Sequence, residues 1–280
     1  MREIQASEIT AAVAGLCTEA NYDLDEDVYL ALQRGADTEE TQVAREILGQ
    51  LVENADIAHA ERVPMCQDTG FAVVFVELGQ DVHVSGGLLT DAINAGVGKG
   101  YTEGNLRKSI VRHPLNRVNT GDNTPAVIHL VIVPGEHLRI VLAPKGGGSE
   151  NMSAVGMLKP SDGVEGVKDF VLETVKRAGP NPCPPIIVGV GIGGTMEKAA
   201  ILSKKALLRT IGEHSSNPDD ASLESEILRE INETGIGPAG LGGRTTALAV
   251  NIESFPCHIA SLPVAVTIQC HAARHKEVTL

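Results

Sequence analysis

Four short runs fix the kind of fold this chain can adopt. Phe71–Leu78, Ala126–Val133, Ile186–Val190 and Val264–Ile268 are dominated by aliphatic residues and bounded by Gly, Pro or polar residues. Runs of this length read as strands, with Ile186–Val190 of the buried type. Segments with helical periodicity lie around them. Ser7 is placed to cap a helix through Ile9, Val13 and Leu16; a second helix begins near Asp25; a third, Thr38–His59, puts Val43, Ile47, Leu51 and Ile57 on one face. Further helices are predicted near Leu88–Ala95 and over Val164–Ala178, Met196–Ile211 and Ala221–Thr234. Pro134-Gly135-Glu136 predicts a hairpin joining Ala126–Val133 to Leu138–Leu142. The fold class is therefore α/β, with mixed sheets and helices and an N-terminal helical layer. Residues 1–280 read as one domain, with the helical layer over 1–60 and an α/β core over 61–280. The pattern leaves the strand order open.

Aromatic residues make up only 2% of the chain and Trp is absent, so the core must be aliphatic and base-stacking platforms are scarce. The formal net charge of −13 argues against non-specific nucleic-acid binding, which needs Lys and Arg to displace counterions. It does not argue against anionic substrates, because a basic pocket can sit within an acidic protein. The start, MREIQASEIT, lacks the apolar stretch of a signal peptide, and no run of about 20 apolar residues occurs. No membrane association is expected, and the cytoplasm is the expected compartment. In that setting five scattered cysteines point to burial or metal binding rather than a disulfide framework.

Cys66, Cys183 and Cys270 share a local logic. Pro64 closely precedes Cys66, Pro182 and Pro184 flank Cys183, and Cys270 ends the run Val264–Ile268. Turns expose backbone N–H groups that stabilise thiolate or sulfide. Cys17 differs, lying mid-helix between Leu16 and Thr18; Cys257 follows Pro256. No CxxC pair announces a metal, and a single cysteine is more often plain core.

The order of motifs adds what spacing lacks. Pro64-Met65-Cys66-Gln67-Asp68-Thr69-Gly70, Asn123-Thr124-Pro125-Ala126, Lys145-Gly146-Gly147-Gly148-Ser149-Glu150-Asn151, Pro182-Cys183-Pro184-Pro185 leading into Gly189–Gly194, and Cys270-His271-Ala272-Ala273-Arg274-His275 follow one another along the chain. Together they resemble the α-region of the class I, iron–sulfur fumarate hydratase and L-tartrate dehydratase family. The resemblance implies an α-subunit domain over 1–280 whose core, 61–280, binds a [4Fe–4S] cluster through Cys66, Cys183 and Cys270. One iron would be left open for substrate, as a catalytic metal requires. Asp68 is then the candidate acid/base, with His258 resembling a family active-site histidine. Gln67, Arg107 and the backbone N–H groups of Gly147, Gly148 and Ser149 are candidates to bind the substrate carboxylates. The expected substrate is a C4 dicarboxylate, with fumarate/malate first and L-tartrate second. The chain ends soon after Cys270. The resemblance therefore implies a separate β-subunit, expected as α2β2, that completes the active site and supplies the base for the C–H proton.

Each of these residues also has a plainer role: Asp68 as a turn former, Arg107 as a surface charge, the glycines as a tight turn, His258 as a core histidine. Three rival readings of the whole chain stand beside the resemblance. Gly189-Val190-Gly191-Ile192-Gly193-Gly194 fits GxGxxG after a strand, with Glu213 about 20 residues on, as an NAD-binding oxidoreductase would have it. His271 and His275 beside Cys270 have helical spacing for zinc. A non-enzymatic regulatory subunit would keep the fold without a cluster.

Overall fold

The computed structural model describes residues 2–280. In chain order the elements are β1 (Arg2–Gln5), α1 (Ala6–Tyr22), α2 (Glu26–Thr38), α3 (Gln42–Glu61), β2 (Phe71–Gly79), β3 (Val82–Ser85), α4 (Leu89–Glu103), β4 (Val127–Val133), β5 (Leu138–Lys145) and α5 (Gly147–Glu150). They continue with β6 (Ala154–Leu158), α6 (Gly163–Ala178), β7 (Ile186–Gly193), α7 (Met196–Ala206), α8 (Pro218–Asn232), β8 (Ala247–Phe255), β9 (Leu262–Gln269) and β10 (Lys276–Thr279). The class is α/β with mixed sheets and N-terminal helices, as expected. No helix among the described residues is long and apolar enough to cross a membrane.

The chain forms two compact units. The first comprises residues up to Leu24, Ala55–Gly147 and Arg274–Leu280. Its main sheet has the order β10-β5-β2-β4, with β2 parallel to β4 and antiparallel to β5. The expected hairpin between β4 and β5 is therefore absent: β2 lies between them. Gly79 explains how. A Cβ there would sit 2.5 Å from the Gly135 carbonyl, so only glycine lets the β4–β5 connection arch over the end of β2. The arch is fastened by Gln80 N–H to the Val133 carbonyl (2.8 Å) and Asp81 N–H to the Gly135 carbonyl (3.0 Å).

Alternate β2 residues Ala72, Val74 and Val76 are buried in one core with Ile9, Val13 and Leu16 of α1 and Ile93 and Val97 of α4. The α1–α4 contact is made by small residues. Cβ atoms at Gly96 and Gly100 would lie 2.7 Å from Val13 Cβ and from the Ala14 carbonyl, respectively. The helix α4 runs to Glu103, past its expected end near Ala95, so that Gly96 and Gly100 both lie in this contact. At the N-terminus Ser7 is not the cap. The short strand β1 pairs in parallel with β3 and feeds straight into α1 at Ala6, leaving Ser7 inside the first turn.

The second unit comprises Asp25–Asn54 and Gly148–Ala273. Its sheet has the order β6-β9-β7-β8, with β7 parallel to β8 and antiparallel to β9. Val188, Val190, Ile252, Val266 and Ile268 pack against Val167, Val171 and Val175 of α6 and Ile227 and Ile231 of α8. Strand β7 runs through the glycine motif rather than ending before it. Cβ atoms at Gly189 and Gly191 would lie 2.0 Å from the Ser203 and Ala199 carbonyls of α7. These glycines exist so that a helix can lie directly on a strand backbone.

Candidate active site

In the first unit the turn Cys66–Gly70 is held by hydrogen bonds from several distant segments. Cys66 is half-buried, and its Sγ lies 3.4 Å from the Asp68 main-chain N–H, which donates to it. An N–H pointed at sulfur complements negative charge on a ligand atom there. The Asp68 carboxylate accepts two backbone hydrogen bonds, Oδ1 from Gly70 N–H (3.0 Å) and Oδ2 from Gly147 N–H (2.8 Å). Both oxygens are thus fixed in direction, and each keeps a lone pair for another partner. The turn's carbonyls are equally engaged. Tyr101, fully buried, donates its hydroxyl to the Thr69 carbonyl (2.7 Å) and the Gly70 carbonyl (3.1 Å). Burial pushes the Tyr101 phenol well above its ordinary range, which keeps it a donor. Buried Asn123 donates to the Gly70 carbonyl (3.0 Å) and accepts from Ser109 N–H (2.7 Å).

Gln67 is exposed on this turn, its Oε1 3.5 Å from Cys66 Sγ. Arg107 is also exposed, and its main chain is tied to the turn because Thr69 Oγ1 donates to the Arg107 carbonyl (3.1 Å). The structure therefore brings Cys66, Gln67, Asp68, Arg107 and Gly147 into one neighbourhood. In this arrangement the Gly147 N–H orients the Asp68 carboxylate. Gly148 is exposed and Ser149 buried in the short helix α5; within the second unit a Cβ at Gly148 would lie 3.6 Å from the Asn181 carbonyl, two residues before Cys183.

The second unit brings Cys183 and Cys270 together. Cys183 is exposed at φ +54°, a left-handed conformation that costs energy for a non-glycine residue and clusters at functional sites. His271, next to half-buried Cys270, docks on the Cys183 carbonyl through its main-chain N–H (3.4 Å) and its Nδ1 (2.9 Å). A carbonyl only accepts, so Nδ1 carries the proton there. Residues 271–275 are not helical. The helical spacing on which the zinc reading depended is therefore missing, and His271 is spent holding the two cysteine turns to each other. None of the five cysteines is in a disulfide. Among the described residues, neither unit by itself gathers three His, Cys, Asp or Glu side chains in a metal-holding group.

His258 is placed differently. It is exposed in the β8–β9 connection, at the start of β9, whereas Cys270 follows the end of that strand. Eight strand residues span roughly 26 Å at the usual rise. Within one chain His258 is thus separated from the Cys183–Cys270 pair by the length of β9. Cys17 is fully buried in α1, and burial pushes its thiol up to about 12, so it is an inert core residue. The sequence reading missed Asn21, Tyr101, Asn123 and Arg274 as scaffold. Asn123 and Arg274 stand inside quoted motifs; Asn21 and Tyr101 carry no local signal.

A sequence model described as fumarate hydratase (Fumerase) matches residues 10–279. The chain belongs to the fumarate hydratase family. A protein of Methanocaldococcus jannaschii, provisionally named an L(+)-tartrate dehydratase α-subunit, is 47% identical over 273 residues, covering 95% of each chain. The L(+)-tartrate dehydratase α-subunits of Escherichia coli K12 and Shigella sonnei are each 34% identical over 272 residues, covering 96% of this chain and 89% of theirs. Family membership makes this chain part of a hydro-lyase family. It also agrees with the structural use of Gly189 and Gly191, which are packed against a helix and do not form the phosphate-binding turn of the NAD reading.

Proposed function

We propose that this chain is the α-subunit of an iron–sulfur hydro-lyase that removes water from L-tartrate, completed by a separate β-subunit. The Cys66–Asp68 turn supports this reading most directly: a half-buried thiol and a carboxylate of fixed orientation share one scaffolded backbone. The relatives' names favour tartrate over fumarate as substrate and imply a β-subunit. Residues 1–280 then work as one cluster-binding subunit, with α2β2 as the proposed assembly.

Cys66, Cys183 and Cys270 are the proposed ligands of a [4Fe–4S] cluster. The donor set fits such a group: all three thiols lie in turns, and the Cys66 sulfur already accepts a backbone N–H. When bound, the cluster supplies a Lewis-acidic iron for a hydroxyl-bearing diacid. Asp68 exchanges a proton with the departing hydroxyl through the lone pairs not used by Gly70 and Gly147. Arg107 holds one substrate carboxylate in its guanidinium fork, Gln67 hydrogen-bonds the substrate, and the main chain of Gly148 and Ser149 faces a second carboxylate. The β-subunit supplies the base for the C–H proton. His258 is left out of the set because of its distance from the cysteine pair.

The test is co-expression with the β-subunit under anaerobic conditions, followed by cluster reconstitution and assay of L-tartrate dehydration against fumarate–malate interconversion. The expected result is a higher kcat/KM for L-tartrate and little turnover by the α-chain alone. The family description keeps fumarate hydration as the second reading, and a higher kcat/KM for fumarate in this assay would select it.

A further inference from the structure

We infer that Asn21 and Arg274 form a buried clamp that positions the Cys66–Asp68 turn, an inference that rests on the proposed role of that turn. Arg274 is 5% exposed and Asn21 fully buried, both within the first unit. The guanidinium donates through Nη2 to the Asp68 carbonyl (3.0 Å), and through Nε and Nη2 to Asn21 Oδ1 (3.3 and 3.1 Å). Asn21 holds the other end of the turn, since its main-chain carbonyl accepts the Met65 N–H (3.0 Å). Its amide Nδ2 donates to the Cys17 carbonyl (2.9 Å), which anchors the clamp to the last turns of α1. The chain therefore enters the turn at Met65 on the Asn21 main chain and leaves it at Asp68 on the Arg274 side chain, and the Asn21 and Arg274 side chains are bonded to each other.

A buried guanidinium is an expensive way to hold a fold together, because apolar packing of similar volume is usually at least as stable. What the guanidinium adds is direction. A planar fork reaches two acceptors at fixed angles, which an ammonium cannot do. One acceptor is the carbonyl of the residue whose carboxylate faces the chemistry. Gly70 and Gly147 fix the carboxylate, and Arg274 fixes the main chain behind it. Arg274 and Asn21 are thus positioning residues for Asp68 and Cys66. Loosening them misplaces the acid/base group while leaving the Arg107 guanidinium, outside the turn, available to bind.

The experiment uses Arg274→Lys, which keeps the charge, together with Asn21→Ala and the double variant, each assembled with the β-subunit and reconstituted. Misplacement of a catalytic group by about 1 Å costs on the order of 100-fold. The expected result is a kcat reduced about 30- to 100-fold in each single variant, KM within about threefold, and unchanged iron content and visible absorption. The double variant should be no worse than the weaker single, because the two residues act as one unit. Unchanged kcat in Arg274→Lys overturns the clamp, as does a kcat loss that merely tracks lost iron. A second readout needs no turnover. In the unreconstituted α-chain, alkylation of Cys66 relative to Cys257 should rise roughly tenfold in Arg274→Lys, the scale of one lost buried hydrogen bond. If wild-type assembly turns over neither diacid, the functional reading fails but the alkylation ratio still decides the clamp; an unchanged ratio overturns it.

Discussion

Two turns of this chain carry the same kind of chemistry in sequence. Cys66-Gln67-Asp68 and Cys257-His258 each set a thiol beside an ionisable group, and each follows a proline. In the structure they differ sharply. The first is held from outside by Asn21, Tyr101, Asn123 and Arg274, all buried and all distant in sequence. The second closes on itself: Ala260 N–H donates to His258 Nδ1 (3.2 Å), Ser261 N–H to the His258 carbonyl (2.9 Å), and Cys257 Sγ to the Ser261 carbonyl (3.3 Å). Its thiol and imidazole are exposed. A turn that only has to close needs its own polar groups. A turn that must present two groups in fixed directions needs buried donors and acceptors brought from elsewhere, and these are costly to leave unpaired.

That contrast can be broken by substitution, most strongly at the thiols. Cys66→Ser should abolish iron loading and activity in the reconstituted assembly, while Cys257→Ser should leave both unchanged; equal loss in the two would erase the distinction. Next in size, Asp68→Asn should lower turnover about 10³-fold with iron content intact, within the range for losing an acid/base group. Recovered activity near wild type would remove Asp68 from the chemistry. The scaffold behind the turn can be probed by stability alone. Asn123→Ala removes one of the two donors to the Gly70 carbonyl and leaves the Ser109 N–H without this partner, and should cost about 1–3 kcal/mol in denaturant unfolding.

The smallest effect concerns a carboxylate that is structural rather than catalytic. Glu39 in the second unit accepts N–H bonds from Arg244 (2.9 Å) and Thr245 (2.9 Å). Burial pushes its carboxyl upward, but these backbone donors outweigh that and hold it below the ordinary glutamate value of 4.5. A folded value below the unfolded one means that the stabilisation is complete above pH 4.5 and is lost as pH falls through the lower folded value. Glu39→Gln should therefore flatten the acid limb of the stability–pH curve; an unaltered limb would assign acid sensitivity elsewhere.

Much of the local structure was legible. The apolar runs became β2, β4, β7 and β9; β7 and β9 are buried almost throughout, as a continuous apolar stretch suggests, whereas β4 is an edge strand with Leu130, Val131 and Ile132 exposed. Pairing was not legible. The Pro134–Glu136 turn reads as a hairpin, and nothing local shows that β2 is inserted between β4 and β5. Gly79 permits that insertion through a close approach to a carbonyl far along the chain. Gly189 and Gly191 misled for a related reason: a glycine that admits a phosphate and one that admits a helix backbone are identical in sequence. His258 kept its place in a familiar motif order, but eight strand residues carry it to the far end of its sheet.

The sequence by itself determined the chemical inventory and the family: three turn-borne thiols, a carboxylate two residues after the first, and ordered motifs from Pro64 to His275. Those are properties of residue type and order, which the chain carries whether folded or not. Only the tertiary structure decided which turn is held rigid, that Gly147 serves Asp68, and that Arg274 and Asn21 grip the turn from behind. Those depend on groups far apart in sequence meeting within about 3 Å, a distance that packing sets and composition does not.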